Sequence, residues 1–105
     1  MTLLRVGLIQ LELKHGDPRG NVERVLGDLR TASRLGCDCV VLPELWNAVI
    51  PLESDLSLLD DGEPVLTELR DIARSLNMVI VAGSLAVRTD QGNRNRSYVI
   101  DRDGR

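Results

Sequence analysis

Glu44 is the residue best placed to carry chemistry. It follows the apolar run at residues 40–43, which predicts a strand. In open α/β sheets, ligands collect at the carboxyl ends of the strands. Beside the apolar residues Leu45 and Trp46, the carboxyl group would be partly desolvated, which raises its pKa toward the range useful to a general base. From the residues alone, a solvated loop position or a helix cap remains an alternative.

The other reactive side chains do not complete a site with Glu44. Cys37 and Cys39 have the strand parity opposite to that of Glu44, so both should point away from it. We interpret them as buried structural thiols that do not bridge. His15 is the only histidine, which excludes a serine triad or a two-histidine metal site built from this chain alone. No glycine-rich phosphate loop follows a predicted strand, so no cofactor is expected.

Composition and charge narrow the class of protein and its partners. Apolar residues make up 43% of the chain and charged residues 28%, as in an ordinary globular protein. The net charge is −3 without a basic run, which argues against a nucleic-acid or anionic-membrane partner. The start of the sequence lacks a secretory signal and no apolar run is long enough to span a membrane, so we expect a cytoplasmic protein.

The pattern of apolar residues predicts the strands and helices that must position Glu44. Dense apolar runs predict strands at residues 3–11, 39–42 and 78–82, the last continuing toward residue 87. Apolar residues at helical spacing predict a helix that starts at Val22, with Asn21 as its cap, and ends at Gly36. A second helix should run from Pro64 to Asn77, and a fourth strand should cover residues 95–101. This order predicts an α/β sheet with parallel or mixed neighbours.

Two connecting segments have sequence patterns that predict a short helix and a hairpin turn. Residues 45–63 form a long acidic connection, with a short helix expected near residues 52–59. Residues 101–104 form an Asp-Arg-Asp-Gly turn, a signal for a hairpin whose second strand should follow at once. Only Arg105 follows. We therefore expect residues 1–105 to be an incomplete domain, truncated within a hairpin.

Four features in order resemble the nitrilase superfamily of carbon–nitrogen hydrolases. They are the Ile9-Gln10 pair that ends the first strand, the helix begun near Asn21, the run at residues 36–44 that ends in Pro-Glu, and the pattern at residues 95–104. The Pro43-Glu44 segment, followed by Leu-Trp-Asn, is the most specific of them. The resemblance extends over essentially the whole chain.

The resemblance implies a fold, a mechanism and an assembly. The fold would be the N-terminal part of a four-layer αββα sandwich. In the family, a cysteine attacks the carbonyl or nitrile carbon, a glutamate is the general base, and a lysine stabilises the tetrahedral intermediate. Only the glutamate matches here, as Glu44. Lys14, the sole lysine, lies where no family motif places one, and the family's lysine and cysteine would follow residue 105. Family members commonly form homo-oligomers.

Three hypotheses are compatible with the sequence. The first is that the chain is the N-terminal portion of a hydrolase that cleaves a small amide, nitrile or carbamoyl compound through a cysteine thioester. The second is a non-catalytic remnant or interaction module that associates through its exposed sheet. The third is a small flavodoxin-like binding domain, which accounts for the early strand and helix order but not for the Pro43-Glu44 segment.

Overall fold

The computed structural model describes residues 2–48 and 59–105. In order along the chain, it contains β1 (Val6–Leu8), α1 (Pro18–Arg34), β2 (Cys39–Val41), α2 (Glu63–Leu76), β3 (Val79–Thr89) and β4 (Gly92–Ile100). This is the predicted order of strands and helices. The expected short helix near residues 52–59 lies outside the described residues, apart from Leu59.

The four strands form one mixed sheet in the order β1-β2-β3-β4. β1, β2 and β3 are mutually parallel, and β4 returns antiparallel to β3 through a tight turn at residues 90 and 91. The predicted α/β class is therefore confirmed. The described chain contributes one sheet and one pair of helices, which corresponds to two layers of a four-layer sandwich.

Helix α1 begins earlier than the sequence pattern predicted. Its N-cap is Asp17, whose Oδ1 accepts the Gly20 N–H at 3.0 Å, and Pro18 occupies the first turn. The prediction that Asn21 caps the helix is wrong. Asn21 is fully buried inside the helix, where its side chain accepts from the Lys14 N–H and donates to the Lys14 carbonyl. It thereby ties the preceding loop to the helix.

Helix α2 matches its predicted limits closely. Gly62 precedes it with φ of 82°, and Pro64 lies in its first turn. Asn77 ends it in the left-handed conformation, with φ of 52°. Asparagine is one of the few residues other than glycine that adopts this conformation readily.

The core lies between the two helices and one face of the sheet. The apolar stripe of α1 predicted from the sequence is buried there, as are Leu66, Leu69 and Ile72 of α2. The sheet contributes alternate residues, among them Val40, Leu42 and Ile80. Strand alternation and helical periodicity thus direct the same side chains inward, as the sequence predicts.

The opposite face of the sheet is largely uncovered by the described residues. Leu8 is 79% exposed, Val99 68% and Val6 47%. The first apolar run was predicted to be a strand covered on both faces over residues 3–11, and this is wrong in the described chain. Only Val6–Leu8 pairs as a strand, and among the described residues the helices cover only one face of it. The apolar residues Val6 and Leu8 therefore predicted burial of the second face, but no described residue covers them.

Candidate active site

Glu44 lies three residues beyond Val41, the last residue of β2, and thus near the carboxyl end of this strand, as predicted. It lines an open depression of about 330 Å³ together with Gly83, Ser84, Asn95 and Ser97. These residues come from β3 and β4, so the site is formed between the end of a parallel strand and the neighbouring hairpin. The carboxylate is exposed, which means that the predicted desolvation by Leu45 and Trp46 is wrong in the described chain.

Trp46 points away from Glu44 and into the core. It is fully buried, and its Nε1–H donates to the Ala82 carbonyl at 2.9 Å. A buried indole needs a partner for its single N–H, and a carbonyl of β3 provides one. Trp46 therefore anchors the turn that follows Glu44 and does not shield the carboxylate.

Asn47 makes a second connection between this turn and β3. Its Nδ2 donates to the Ala86 carbonyl at 2.8 Å, and its Oδ1 accepts the Ala86 N–H at 2.9 Å. The side-chain amide thus pairs with Ala86 as a neighbouring strand would. The residue is 8% exposed, so both bonds lie in a largely dry environment. The turn after Glu44 is consequently fixed to the hairpin at two successive residues.

A β-bulge in β3 brings the hairpin against the Glu44 segment. Val81 pairs with Val99 and Ser84 pairs with Ser97, so β3 has one residue more than β4 across this interval. Gly83 has φ of 58°, and a Cβ built on it would lie 2.0 Å from the Pro43 carbonyl oxygen. Only glycine allows this approach of the two backbones.

The bulge also directs Ser84 toward Glu44. Ser84 is 5% exposed, and its hydroxyl oxygen accepts the Leu45 N–H at 3.0 Å. Leu45 has φ of 51°, in the left-handed region that a leucine rarely adopts. The strained residue directly after Glu44 is thus held by a buried hydroxyl, as backbone strain near functional sites generally requires.

The carboxylate itself is held by the fourth strand. Glu44 Oε1 accepts a hydrogen bond from Asn95 Nδ2 at 2.9 Å. Neither this contact nor the role of Ser84 was predicted from the sequence. A glycine inside the apolar run of β3 was a signal for a bulge, whereas nothing local in the sequence indicates that residues 44 and 95 meet.

The remaining reactive residues stay apart from Glu44. Cys37 and Cys39 are free thiols, so the prediction that they do not bridge is confirmed. They are partly rather than fully buried, and Cys37 packs against the core. Neither cysteine lines the depression, and neither do Lys14 and His15. Ser84 and Ser97 do line it, but a serine nucleophile needs an adjacent strong base such as histidine.

Metal-binding clusters and membrane-spanning helices are both absent from the described residues. Within residues 2–48 and 59–105, no group of three or more histidine, cysteine, aspartate or glutamate side chains is placed to hold a metal ion. Of the helices in these ranges, none is long and apolar enough to cross a membrane.

A carboxylate in this setting can accept or deliver a proton. One oxygen is held by an amide, and the side chain reaches an open depression at the end of a parallel sheet. General bases act from such positions when the group that loses the proton comes within hydrogen-bond reach. Covalent catalysis would require a nucleophile from elsewhere, because the depression contains no activated one among the described residues.

The sequence of the chain matches one protein-family model and several individual proteins. Residues 5–105 match the family model described as carbon-nitrogen hydrolase. The chain is 31% identical over 100 residues to 2-oxoglutaramate amidase of Bacillus subtilis, covering 94% of this chain and 38% of that protein. It is 26% identical to the chloroplastic omega-amidase of Arabidopsis thaliana, covering 99% of this chain and 30% of that protein. It thus spans less than half the length of either relative.

Solved structures share the fold. A CN-hydrolase superfamily protein from Xanthomonas campestris, described with an arsenic adduct in its active site, superposes with a TM-score of 0.85 at 29% identity. The match covers 100% of this chain and 39% of that one. The NitN amidase from Nesterenkonia sp. AN1 superposes with a TM-score of 0.80 at 21% identity, over 97% of this chain and 41% of that one.

Proposed function

Because the chain belongs to the carbon-nitrogen hydrolase family, we propose that it forms part of an active site that hydrolyses a carbon–nitrogen bond, with Glu44 as the general base. The observation that carries the proposal is the position of Glu44. It lies just beyond the carboxyl end of a parallel strand. Its accessible carboxylate accepts a hydrogen bond from Asn95 of β4, and the N–H of the next residue, Leu45, is held by Ser84 of β3. A base must reach its proton in a defined geometry, and this arrangement provides one.

The proposed reaction is acyl transfer through a thioester. A cysteine thiol gives its proton to Glu44 as the sulfur attacks the carbonyl carbon, and the proton then passes to the leaving ammonia or amine. Water next loses a proton to Glu44 and attacks the thioester, which releases the acid and regenerates the thiol. A lysine would stabilise the tetrahedral oxyanion. The cysteine and the lysine would come from sequence beyond residues 1–105, since Cys37, Cys39 and Lys14 lie outside the depression.

The proposed substrate is a small amide, with nitriles and carbamoyl compounds as alternatives. The two relatives with the names 2-oxoglutaramate amidase and omega-amidase support an amide. No cofactor is needed for this chemistry, because the cysteine supplies the nucleophile and the two charged side chains handle the proton and the oxyanion.

Substitution of Glu44 in the complete gene product that contains residues 1–105 tests this proposal. Glu44→Gln should lower kcat/KM for the best amide substrate by about 100-fold or more, because general-base catalysis contributes at least that much. Glu12→Gln, at an exposed carboxylate outside the depression, is the matched control and should leave the rate unchanged. Activity of Glu44→Gln close to that of the control would refute the assignment.

One observation favours a second, non-catalytic function. The sheet face that bears Leu8 and Val99 is exposed, and apolar patches of this kind commonly mark association surfaces. An interaction module that uses this face would retain its binding when Glu44 is replaced by Gln and would show no turnover with any amide. The same pair of variants therefore distinguishes the two functions.

A further inference from the structure

The Asn95 side chain contacts the carboxylate of Glu44 across 51 residues of sequence. Asn95 lies within β4, opposite Ala86 of β3. Ala86 is the residue whose backbone is paired by the Asn47 amide, three residues after Glu44. The contact is therefore part of a larger attachment between the hairpin and the turn at residues 44–47.

The chemistry of the contact fixes the orientation of both groups. A carboxylate only accepts hydrogen bonds, so the amide must present its NH₂ group and not its oxygen. The Nδ2 to Oε1 distance of 2.9 Å is that of a good hydrogen bond to a charged acceptor. Among the described residues, Asn95 is the one side chain that hydrogen-bonds Glu44. Without it, an exposed glutamate would be free to sample its many rotamers.

The two ends of Glu44 are held by neighbouring positions of one hairpin face. Its backbone is fixed through Ser84, which accepts the N–H of the next residue, and its carboxylate is fixed through Asn95. Ser84 pairs with Ser97, two residues from Asn95, so both anchors lie on the same side of the hairpin. The β-bulge at Gly83 produces this alignment, because it shifts the parity of β3 by one residue.

We propose that Asn95 is a positioning residue for the general base. It holds Oε1 and thereby leaves Oε2 directed toward the proton that Glu44 removes. Asn95 acts through Glu44 and need not touch the substrate. This inference rests on the proposed function, since a base that does no chemistry needs no positioning.

Kinetic analysis of variants of the complete gene product tests the role. Asn95→Ala should lower kcat about tenfold or more, since small misplacements of reacting groups are costly, while KM changes less than about threefold. Asn95→Asp should be slower still, because it removes the donor and places a second negative charge beside the carboxylate. Asn93→Ala is the matched control. It lies on the same strand and face, two residues away, and should change neither parameter.

A double-mutant cycle separates positioning from a general structural role. In the Glu44→Gln background, Asn95→Ala should lower the residual rate less than about twofold, because the group it positions is already gone. An equal loss in both backgrounds would overturn the proposal, as would wild-type activity of Asn95→Ala. The melting temperatures of Asn95→Ala and Asn93→Ala should agree within a few degrees.

A direct observation of the contact completes the test. In ¹⁵N-labelled protein, the side-chain amide resonances of Asn95 should move on Glu44→Ala, while those of Asn93 should not. No response at Asn95 would overturn the proposal whatever the kinetics. A full response without amide turnover by the wild-type protein would instead refute the proposed function, and with it the need for positioning. The two failures are therefore distinguishable.

Discussion

Replacement of Gly83 by alanine should destabilise the protein strongly and displace the segment that bears Glu44. The added Cβ would lie 2.0 Å from the Pro43 carbonyl oxygen and 2.5 Å from that of Leu42. Both contacts are with backbone, so neither can be relieved by rotation of a side chain. Because real Cβ contacts stay beyond 3.0 Å, β3 and the Pro43 backbone must separate by about 1 Å or break their pairing.

The expected cost follows from two contributions. A non-glycine residue in the left-handed conformation costs roughly 1–2 kcal/mol, and forced overpacking typically adds about 1–3 kcal/mol. Together they predict a loss of about 3 kcal/mol in the free energy of unfolding, or on the order of 12–24 °C in melting temperature for a domain of this size. The Leu45 N–H to Ser84 bond depends on the same alignment and should be lost with it.

A matched glycine gives an internal control of opposite sign. Gly27 lies within α1, and a Cβ built there meets nothing within 4 Å. Gly27→Ala should therefore stabilise the protein by roughly 0.5–1 kcal/mol through helix propensity. Gly83→Asn separates the two contributions at the bulge, because asparagine tolerates the left-handed conformation but still carries the Cβ.

Urea unfolding monitored by circular dichroism would measure all three variants. If Gly83→Ala unfolded within 0.5 kcal/mol of wild type while Gly27→Ala behaved as expected, the close approach of β3 to Pro43 would be refuted. If Gly83→Asn recovered most of the stability, the conformation at this residue, and not the backbone contact, would account for the loss. We expect Gly83→Asn to remain almost as unstable as Gly83→Ala.

Three further predictions concern activity, association and pH. The isolated 105-residue chain should show no amidase or nitrilase turnover, because a base without a nucleophile cannot form the covalent intermediate; turnover by protein of verified mass that Glu44→Gln abolishes would contradict this. The chain should self-associate or aggregate at micromolar concentration through its exposed sheet face. Light scattering should therefore show smaller species for Leu8→Glu than for wild type, whereas Leu35→Glu, at an exposed leucine elsewhere, should behave like wild type. A monodisperse wild-type monomer would contradict this prediction. The backbone N–H groups of Arg105 and Asp103 hold the pKa of Asp101 below its usual value. Because this pKa is lowered in the folded state, the ionised carboxylate stabilises the turn above the unfolded-state pKa, and this stabilisation is lost as the pH falls through the folded-state pKa. Protection of the Asp103 and Arg105 N–H groups from exchange, measured relative to the intrinsic exchange rate at each pH, should therefore fall on acidification below about pH 4 in wild type. It should stay constant in Asp101→Asn, because an amide oxygen accepts the same bonds but does not titrate.

Local sequence determined the elements and their inward-facing residues. The apolar stripe of α1 and the alternation around Val40 are periodic signals that need no knowledge of distant residues, and both are buried as predicted. The position of Glu44 beyond β2 also follows from its place after an apolar run. The limits of α1 were less accurate, because Asp17 and Asn21 are both suitable cap residues and only the packed helix shows which one is used.

Tertiary structure alone decided what surrounds Glu44. The Glu44 carboxylate is exposed and not covered by Trp46, because the indole points into the core and donates its N–H to a carbonyl of β3. The residues next to Trp46 in the sequence do not predict this orientation. The contact with Asn95 depends on the register of β3 with β4 and on a bulge that shifts the parity of β3 by one residue. Register and bulges arise from pairing between segments distant in sequence, so a single-residue slip would remove the contact while leaving every local pattern unchanged.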